Sequence, residues 1–200
     1  MDITLIYLDN PFWRIELARI PLFIGDISFN DKRITLEEFR SAKETGFLKD
    51  GTKLPFHQIP CLVVDGVPIA QTGAIARFCG KLSGLYPTED SICCALINQF
   101  IDFVTDLTNL VYIPSNSPLT EDEKMQHRKM LSEGELKRKL DMLEDNISAN
   151  QTWMVGKDMT IADIAIWRGI GWLASDLVAG IPQPYFVNYP KITKIFKNVD

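Results

Sequence analysis

Gln71 and Thr72 form a candidate anion-binding site at the start of a predicted helix. Apolar residues recur with helical spacing over residues 74–82, so Thr72 is predicted to be the N-cap of that helix. A helix N-terminus offers free backbone N–H groups and the positive end of the helix dipole, and the Thr72 hydroxyl would lie beside them. The pattern suits the binding of a carboxylate, although an ordinary N-cap needs no ligand.

A second polar cluster lies on the long helix predicted for residues 89–112. Asn98, Asp102 and Asp106 recur every four residues, which places them on one stripe away from the apolar face. Like charges at this spacing repel by about 0.2 to 0.5 kcal/mol, so a cation opposite them would be favourable. A solvated helix face is the alternative.

Thiol and imidazole chemistry is not indicated by the sequence. The four cysteines show no C-x-x-C spacing and have apolar neighbours, so we interpret them as reduced core thiols. They are Cys61, Cys79, Cys93 and Cys94. The only histidines are His57 and His127, too few for a histidine metal site. We interpret His57 as a loop residue rather than a base, because nothing near it would orient the ring.

The composition, 46% apolar and 24% charged residues in a chain of 200, is that of a folded globular protein of one or two domains. Its 21 lysines and arginines are scattered and the net charge is −5, so we expect no nucleic-acid partner. No basic region precedes the first apolar residues, so we expect no signal peptide and a cytoplasmic location. The most apolar stretch, residues 161–181, contains Asp163, Arg168 and Asp176, so no membrane span is predicted.

Strand and helix patterns alternate up to residue 86, whereas residues 88–200 show almost only helical patterns. We therefore predict two domains, residues 1–84 and 88–200. In the first, the predicted order is strand, helix, strand, helix, hairpin, helix, an α/β arrangement. Its elements are a strand at 2–8, a helix at 13–24 that Pro21 should kink or end early, a strand at 27–34, a helix at 37–43, an exposed loop at 45–53, a hairpin at 60–70 around Asp65-Gly66, and a helix from Thr72 to a stop at Gly84.

Three helices are predicted for the second domain. They cover residues 89–112, residues 120–146, and a segment that begins at Thr160 and continues through Trp172. Thr160 is predicted to cap the last of these, with Asp163 at its third position, where a carboxylate meets free N–H groups. That helix is apolar on most sides, so it should be the core of the domain.

Residues 54–78 read L-P-F-H-Q-I-P-C-L-V-V-D-G-V-P-I-A-Q-T-G-A-I-A-R-F. This run closely resembles the glutathione-binding core of the cytosolic glutathione transferases, especially the sigma-like, tyrosine-type group, in its P-F-x-Q-[IV]-P, D-G and A-Q-[ST]-x-A-I-A-R motifs. The resemblance extends to Tyr7, at the end of the first strand, and to T-I-A-D at residues 160–163. It implies a thioredoxin-like domain, an all-helical domain with a hydrophobic acceptor site, glutathione as cosubstrate, and a homodimer.

The resemblance also implies a ligand-binding turn at Gln58, Ile59 and Pro60. In the family a cis-proline here turns the preceding backbone N–H and C=O toward the peptide, so Ile59 should pair with the cysteinyl part of glutathione. An ordinary proline of an edge strand is the alternative. Gln71 and Thr72 should bind the γ-glutamyl carboxylate.

Tyr7 stands at the position of the catalytic tyrosine in this group. A thiol has a pKa near 8.5, so a phenolic O–H donated to the sulfur would favour the thiolate, which is the nucleophile. A core tyrosine with a satisfied hydroxyl is the alternative. No serine or cysteine occurs between Met1 and Ile27, which disfavours the serine and cysteine types of this fold.

Two departures from the family pattern lie after Tyr7. Arg14 follows Tyr7 by seven residues, one more than the resemblance predicts, and Pro11-Phe12-Trp13 replaces a small turn that contains glycine. The bulky residues would narrow the acceptor pocket or form its wall. An Arg14 that faces solvent and pairs with Asp9 or Glu16 is the alternative.

A third departure affects the glycyl end of the ligand. Phe39 stands where relatives often carry tryptophan, which removes an indole N–H, and Lys43 or Lys53 could supply the charge instead. On the long helix, the resemblance implies that Asp106 reaches across a two-fold dimer to the γ-glutamyl ammonium. Some relatives bind a divalent metal there, but oxygen ligands from one helix alone favour no metal site in this chain.

The predicted activity is conjugation of the glutathione thiolate to hydrophobic electrophiles, a detoxification reaction. A glutathione-dependent isomerase of the prostaglandin synthase type and a non-catalytic glutathione or ligand binder are the alternatives, and the sequence does not identify the electrophile. The chain ends at Asp200, where relatives continue through another helix, so we expect either an open acceptor site or a chain that lacks a native C-terminal helix.

Overall fold

The computed structural model describes residues 1–9, 14–114, 116–175, 177–182 and 185–200. Within them the chain forms two compact units, Met1–Asp90 and Ser91–Asp200. The expectations for Pro11-Phe12-Trp13 and for Asp176 fall outside the described residues. Each unit is considered by itself below.

The first unit is built on a four-stranded sheet with the order β2-β1-β3-β4. Its strands are β1 (Ile3–Leu8), β2 (Asn30–Ile34), β3 (Cys61–Val64) and β4 (Val67–Ala70). β1 and β2 are parallel, and the other neighbours are antiparallel. The helices are α1 (Glu16–Ile24), α2 (Leu36–Thr45) and α3 (Thr72–Leu82). This is the predicted order, and the Asp65-Gly66 hairpin is confirmed.

Both faces of the sheet are covered. Leu5 and Tyr7 of β1 pack with α1 and α3, against Leu22 and Ile75. Ile6, between them in the sequence, faces the opposite side, because side chains alternate along a strand. The second cluster buries Ile34, Ala42, Leu48, Leu54 and Cys61 with it. The alternation fixes the register of β1 and therefore the face to which Tyr7 points.

Two local predictions for this unit are wrong. Of the two outcomes predicted for Pro21, a kink or an early end of α1, the early end is wrong, since the helix continues to Ile24 and Pro21 O accepts a bond from Gly25 N at 2.9 Å. Pro21 is buried in the core, and this packing offsets the one helical hydrogen bond that a proline removes. The loop at 45–53 is not simply exposed, because Leu48 is buried in the second cluster.

The second unit is helical. Its helices are α4 (Ser91–Val111), α5 (Glu121–Glu133), α6 (Glu135–Asn146), α7 (Ile161–Leu173) and α8 (Pro190–Val199). The single helix predicted for 120–146 is therefore two helices, which meet at Gly134, whose φ of −120° and ψ of −106° are non-helical. α7 is almost wholly buried, as predicted. No helix among the described residues is long and apolar enough to cross a membrane.

Hydrogen bonds to carboxylates cap the starts of α7 and α8 in this helical unit. The predicted cap of α7 is confirmed, since Thr160 N donates to Asp163 Oδ2 at 2.8 Å. Glu144 of α6 accepts from Lys191 N and Ile192 N, at 2.8 and 2.9 Å, and so caps α8 from outside the helix. The C-terminal helix is thus held to α6 by its free N–H groups.

Candidate functional site

The strand registers bring three distant parts of the sequence to one end of the sheet, where β1 ends, β3 begins and β4 ends. This row of strand ends is called the edge. Ile6 of β1 pairs with Cys61 of the antiparallel β3, so Tyr7 follows in β1 where Pro60 precedes in β3. Cys61 in turn pairs with Ala70 of β4, so Gln71 leaves the hairpin beside Pro60. β1 ends one residue after Tyr7, β3 begins directly after Pro60, and β4 ends directly before Gln71. The three residues therefore lie at the same edge, on three adjacent strands.

The size of this edge suits a short peptide. Neighbouring strands lie about 4.8 Å apart, so the ends of β1, β3 and β4 span about 10 Å. Three residues of extended chain also span about 10 Å. An extended tripeptide laid across the edge would therefore reach from Tyr7 to Gln71.

The peptide bond between Ile59 and Pro60 is cis, as the sequence predicts. Pro60 is buried and Ile59 is half-buried. The alternative of an ordinary proline in an edge strand is wrong, because β3 is an inner strand, between β1 and β4. The backbone before Pro60 therefore lies at the centre of the edge.

The start of α3 differs from the prediction by one residue. Gln71, not Thr72, occupies the cap position, with φ 74° and ψ 121°, and its side chain makes no capping bond. A residue with a Cβ is disfavoured at this φ, and such strained conformations cluster at functional sites. The first hydrogen bond of the helix runs from Ile75 N to Gln71 O at 3.0 Å, so the N–H groups of residues 72–74 lie ahead of it, free to bind an anion.

The ring of Tyr7 is held firmly. The residue is 3% exposed and packs in the cluster between the sheet and α1 and α3. Burial of the ring restricts the directions in which its hydroxyl can point. A core tyrosine would be buried in the same way, so burial alone does not distinguish the two roles of Tyr7.

Two of the cations proposed as ligand contacts are Arg14 and Lys43, and they lie in different parts of the first unit. Arg14 is half-buried just before α1. Of its expected alternative partners, Asp9 bonds to Arg33 at 2.5 Å and Glu16 bonds to Arg19 at 2.8 Å, so both carboxylates have another cation. Lys43 lies on α2, near the C-terminal end of that helix.

The structure places the candidates for the glycyl end as follows. Phe39 of α2 packs against the second core cluster. Lys43 and Lys53 are both exposed, the first on α2 and the second on the loop, where it pairs with Phe47 in an isolated β-bridge. Gln58 is exposed in the turn before Ile59.

Sequence reasoning missed the role of His57. Its Nδ1 lies 3.0 Å from the carbonyl oxygen of Lys43, so the statement that nothing orients the ring is wrong. The partner lies 14 residues earlier in the chain, beyond the reach of any local pattern. A histidine next to Gln58-Ile59-Pro60 was the only available signal.

Asp106 belongs to the second unit, where it is exposed on α4 beside the exposed Asp102. The apolar residues Ile92 and Leu96 of the same helix are 75% and 40% exposed. Ile92 and Leu96 are one helical turn apart, so their exposed side chains lie on the same face of α4.

Known families match both units. The model for the glutathione S-transferase N-terminal domain matches residues 3–80, and the model for the glutathione S-transferase C-terminal domain matches residues 105–200. Glutathione S-transferase 2 of Caenorhabditis elegans is 30% identical over 174 residues, which are 85% of this chain and 88% of that protein. The chain belongs to the glutathione S-transferase family. Its predicted fold class, a thioredoxin-like domain followed by a helical domain, is confirmed.

Other similar proteins include prostaglandin synthases as well as transferases. Hematopoietic prostaglandin D synthase of Gallus gallus is 27% identical over 155 residues, 75% of this chain and 69% of that protein. The structure of rat hPGDS complexed with a quinoline superimposes with a TM-score of 0.81 at 22% identity, over 100% of this chain and 91% of that one. The glutathione S-transferase family therefore fixes the fold here and leaves the reaction open.

Gln71→Ala and Thr72→Ala are each expected to weaken glutathione binding by about 5- to 50-fold. A hydrogen bond to a charged group contributes about 1.5 to 3 kcal/mol, and each substitution would lose part of that free energy. Titration calorimetry measures this directly. Gln99→Ala, on α4 of the second unit, is the control and should bind glutathione as the wild type does. Unchanged affinity in both variants would remove the γ-glutamyl site from this edge.

Proposed function

We propose that this protein is a tyrosine-type glutathione transferase that joins glutathione to hydrophobic electrophiles. The observation that carries the proposal is the convergence of Tyr7, the cis-proline Pro60 and the strained Gln71 at one edge of the sheet. The edge has about the length of a short extended peptide, the class of ligand to which glutathione belongs. Membership of the family supports the same ligand.

Each part of glutathione has a candidate partner along this edge. The γ-glutamyl carboxylate would accept from the free N–H groups and hydroxyl at the start of α3, beside Gln71 and Thr72. The cysteinyl backbone would pair with Ile59, as one strand pairs with another. Lys43 or Lys53 would meet the glycyl carboxylate, and Arg14 would be a further cation available to the ligand.

Tyr7 would supply the activation. Its phenolic O–H donates to the cysteinyl sulfur, which stabilises the thiolate and lowers the thiol pKa from about 8.5. The thiolate attacks the electrophilic carbon, a carbon–sulfur bond forms, and the bond to the leaving group breaks with its electron pair. The thiol proton passes to solvent, so no redox partner or metal is required for this reaction.

The direct test combines binding with turnover. Glutathione is titrated by calorimetry, and the same sample is assayed with an activated aromatic halide across a range of pH. The proposal predicts binding, and a rate that rises with a midpoint well below pH 8.5. Binding of glutathione without conjugation would contradict the transferase reaction and indicate a glutathione carrier. The absence of binding would contradict the whole proposal.

A glutathione-dependent isomerase is the second candidate, favoured by the similarity to the prostaglandin D synthase of Gallus gallus. The two reactions share the thiolate and differ in the electrophile. Isomerisation of a prostaglandin endoperoxide, with glutathione regenerated rather than consumed, would establish the isomerase. Stoichiometric loss of glutathione would establish the transferase.

We also propose that the protein is a cytoplasmic homodimer in which the first unit binds glutathione and the second contributes the hydrophobic acceptor site and dimer contacts. The exposed Ile92 and Leu96 on α4 support a covered surface there. Asp106 would reach the γ-glutamyl ammonium of the partner's glutathione.

For Asp106→Ala, we expect a protein that remains a dimer by analytical ultracentrifugation at micromolar concentration and binds glutathione about fivefold more weakly, because one charge-assisted contact is lost. Asp102→Ala, one helical turn earlier on the same stripe, is the matched control and should keep its affinity. A wild-type monomer at that concentration would rule out the contact.

Oxidation or alkylation of the protein's own thiols plays no part in this mechanism. Burial raises the pKa of Cys61 to about 11 and that of Cys79 to about 12, which disfavours the reactive thiolate. Iodoacetamide near pH 8 is therefore expected to leave both unmodified in the folded protein, while Cys93 and Cys94, which are half-buried, react first. Peptide mass spectrometry reads the order, and early modification of Cys61 would contradict it.

A further inference from the structure

His57 occupies a backbone conformation that most residues avoid. Its φ is 53°, and that of the preceding Phe56 is 57°, both in the left-handed region. Histidine is better tolerated there than most residues, but the conformation still costs free energy and persists only where the surroundings enforce it. His57 stands directly before Gln58, Ile59 and Pro60 in the chain.

The imidazole joins this turn to the end of α2. Nδ1 lies 3.0 Å from Lys43 O, and because a carbonyl oxygen only accepts, Nδ1 must carry the proton that it donates. On its other side the ring lies against Gly46, where an added Cβ would be 2.7 Å from Nε2. Gly46 has a φ of 79° and ends α2 by donating to Ala42 O at 2.8 Å. Only glycine leaves room for the ring at this helix end.

The loop between α2 and the turn is closed at the same point. Gly46 O accepts from Leu54 N at 2.8 Å, and inside the loop Leu48 N donates to Thr52 O at 2.9 Å. Leu48 and Leu54 are buried, so the loop is attached to the core rather than free. The C-terminal end of α2, the base of the loop and the turn are therefore one connected piece, with the His57 ring between its parts.

We propose that His57 is a positioning residue for the glycyl end of glutathione. By donating to Lys43 O and packing on Gly46, it fixes the end of α2, and with it Lys43, relative to the Ile59–Pro60 backbone. It does not touch the sulfur, so it governs affinity and not the chemical step. This inference rests on the proposed function and concerns the glycyl end of the same ligand.

The test compares two substitutions at one position. His57→Ala removes the contact and is expected to raise the Kd and KM for glutathione about fivefold with kcat unchanged at saturating glutathione. His57→Asn keeps an amide N–H where Nδ1 stands and tolerates the left-handed backbone, so it should retain most of the affinity. His127→Asn, the same change at an exposed site on α5, is the matched control.

A truncated ligand separates positioning from a general loss of structure. γ-Glutamylcysteine lacks the glycyl residue, so the wild type and His57→Ala should bind it with equal affinity. An equal loss for both ligands, or unchanged glutathione affinity in His57→Ala, would overturn the positioning role while leaving the proposed function in place. Absence of glutathione binding by the wild type would overturn both.

Discussion

Tyr7→Phe is expected to lower the rate of conjugation about 100-fold while the Kd for glutathione changes by less than about twofold. Removal of one positioned donor from a developing or stabilised anion costs about 10²- to 10³-fold in turnover. The phenyl ring keeps the packing of the buried tyrosine, so the change is confined to the hydroxyl. Steady-state kinetics and calorimetry on the same preparation measure both quantities.

The pH profile distinguishes this role from a structural one. In the wild type the rate should follow the bound thiol, whose pKa the Tyr7 hydroxyl lowers, and in Tyr7→Phe the midpoint should move up toward about 8.5. Tyr86→Phe is the matched control, since Tyr86 is also a buried tyrosine of the first unit, at 7% exposed. A wild-type profile in Tyr7→Phe would leave Tyr7 as a core residue only.

Asp163→Ala is expected to destabilise the protein by about 3 kcal/mol or more, because it strands buried donors. Asp163 is 0% exposed, and its Oδ1 accepts from Met154 N at 2.6 Å. Its Oδ2 accepts from Thr160 N at 2.8 Å and from Thr160 Oγ1 at 3.0 Å. Urea unfolding followed by circular dichroism gives the difference in the free energy of unfolding.

The chain contains its own control for this prediction. Glu123 makes the same capping box with Thr120 at the start of α5, but there both residues are exposed. Water replaces the lost partner at an exposed cap, so Glu123→Ala should cost only about 1 kcal/mol. Asp163→Asn, which keeps one acceptor oxygen, provides a folded variant if Asp163→Ala does not fold. Equal effects of Asp163→Ala and Glu123→Ala, or of Asp163→Asn and Glu123→Gln, would show that burial does not set the cost.

The same residue makes stability depend on pH. Burial raises the pKa of Asp163 against the opposing influence of its hydrogen bonds. The native state therefore binds this proton more tightly than the unfolded chain, and stability falls as pH rises from about 3.9 through the raised pKa. Asp163→Asn should remove this part of the slope, which is read by subtracting its stability curve from that of the wild type.

Local sequence signals predicted those parts of the fold whose physics is local. The hairpin follows from Asp65-Gly66, whose φ values of 49° and 82° are those that aspartate and glycine tolerate best. The α7 cap follows from Thr160 and Asp163. The split at Gly134 was missed because a glycine within a charged helical pattern is tolerated as often as it breaks the helix.

The site could be predicted from the sequence only in part. The sequence motifs identified the candidate site residues. The strand pairing that brings Tyr7 to Pro60 and Gln71 depends on the register of the sheet, which no local pattern contains. The cap was assigned to Thr72 because threonine is a favoured N-cap, whereas Gln71 holds that position through a φ for which glutamine carries no signal. The contact of His57 with Lys43 O is likewise set by the fold of the loop between them.

The most direct test of the central claim is the ultraviolet absorbance of the thiolate of glutathione bound to the wild-type protein, followed as a function of pH. The account predicts that the thiolate forms with a midpoint at least one unit below the free value of about 8.5, and that the shift is lost in Tyr7→Phe. A bound thiol that titrates at the free value would contradict the assignment of Tyr7 and of the transferase reaction.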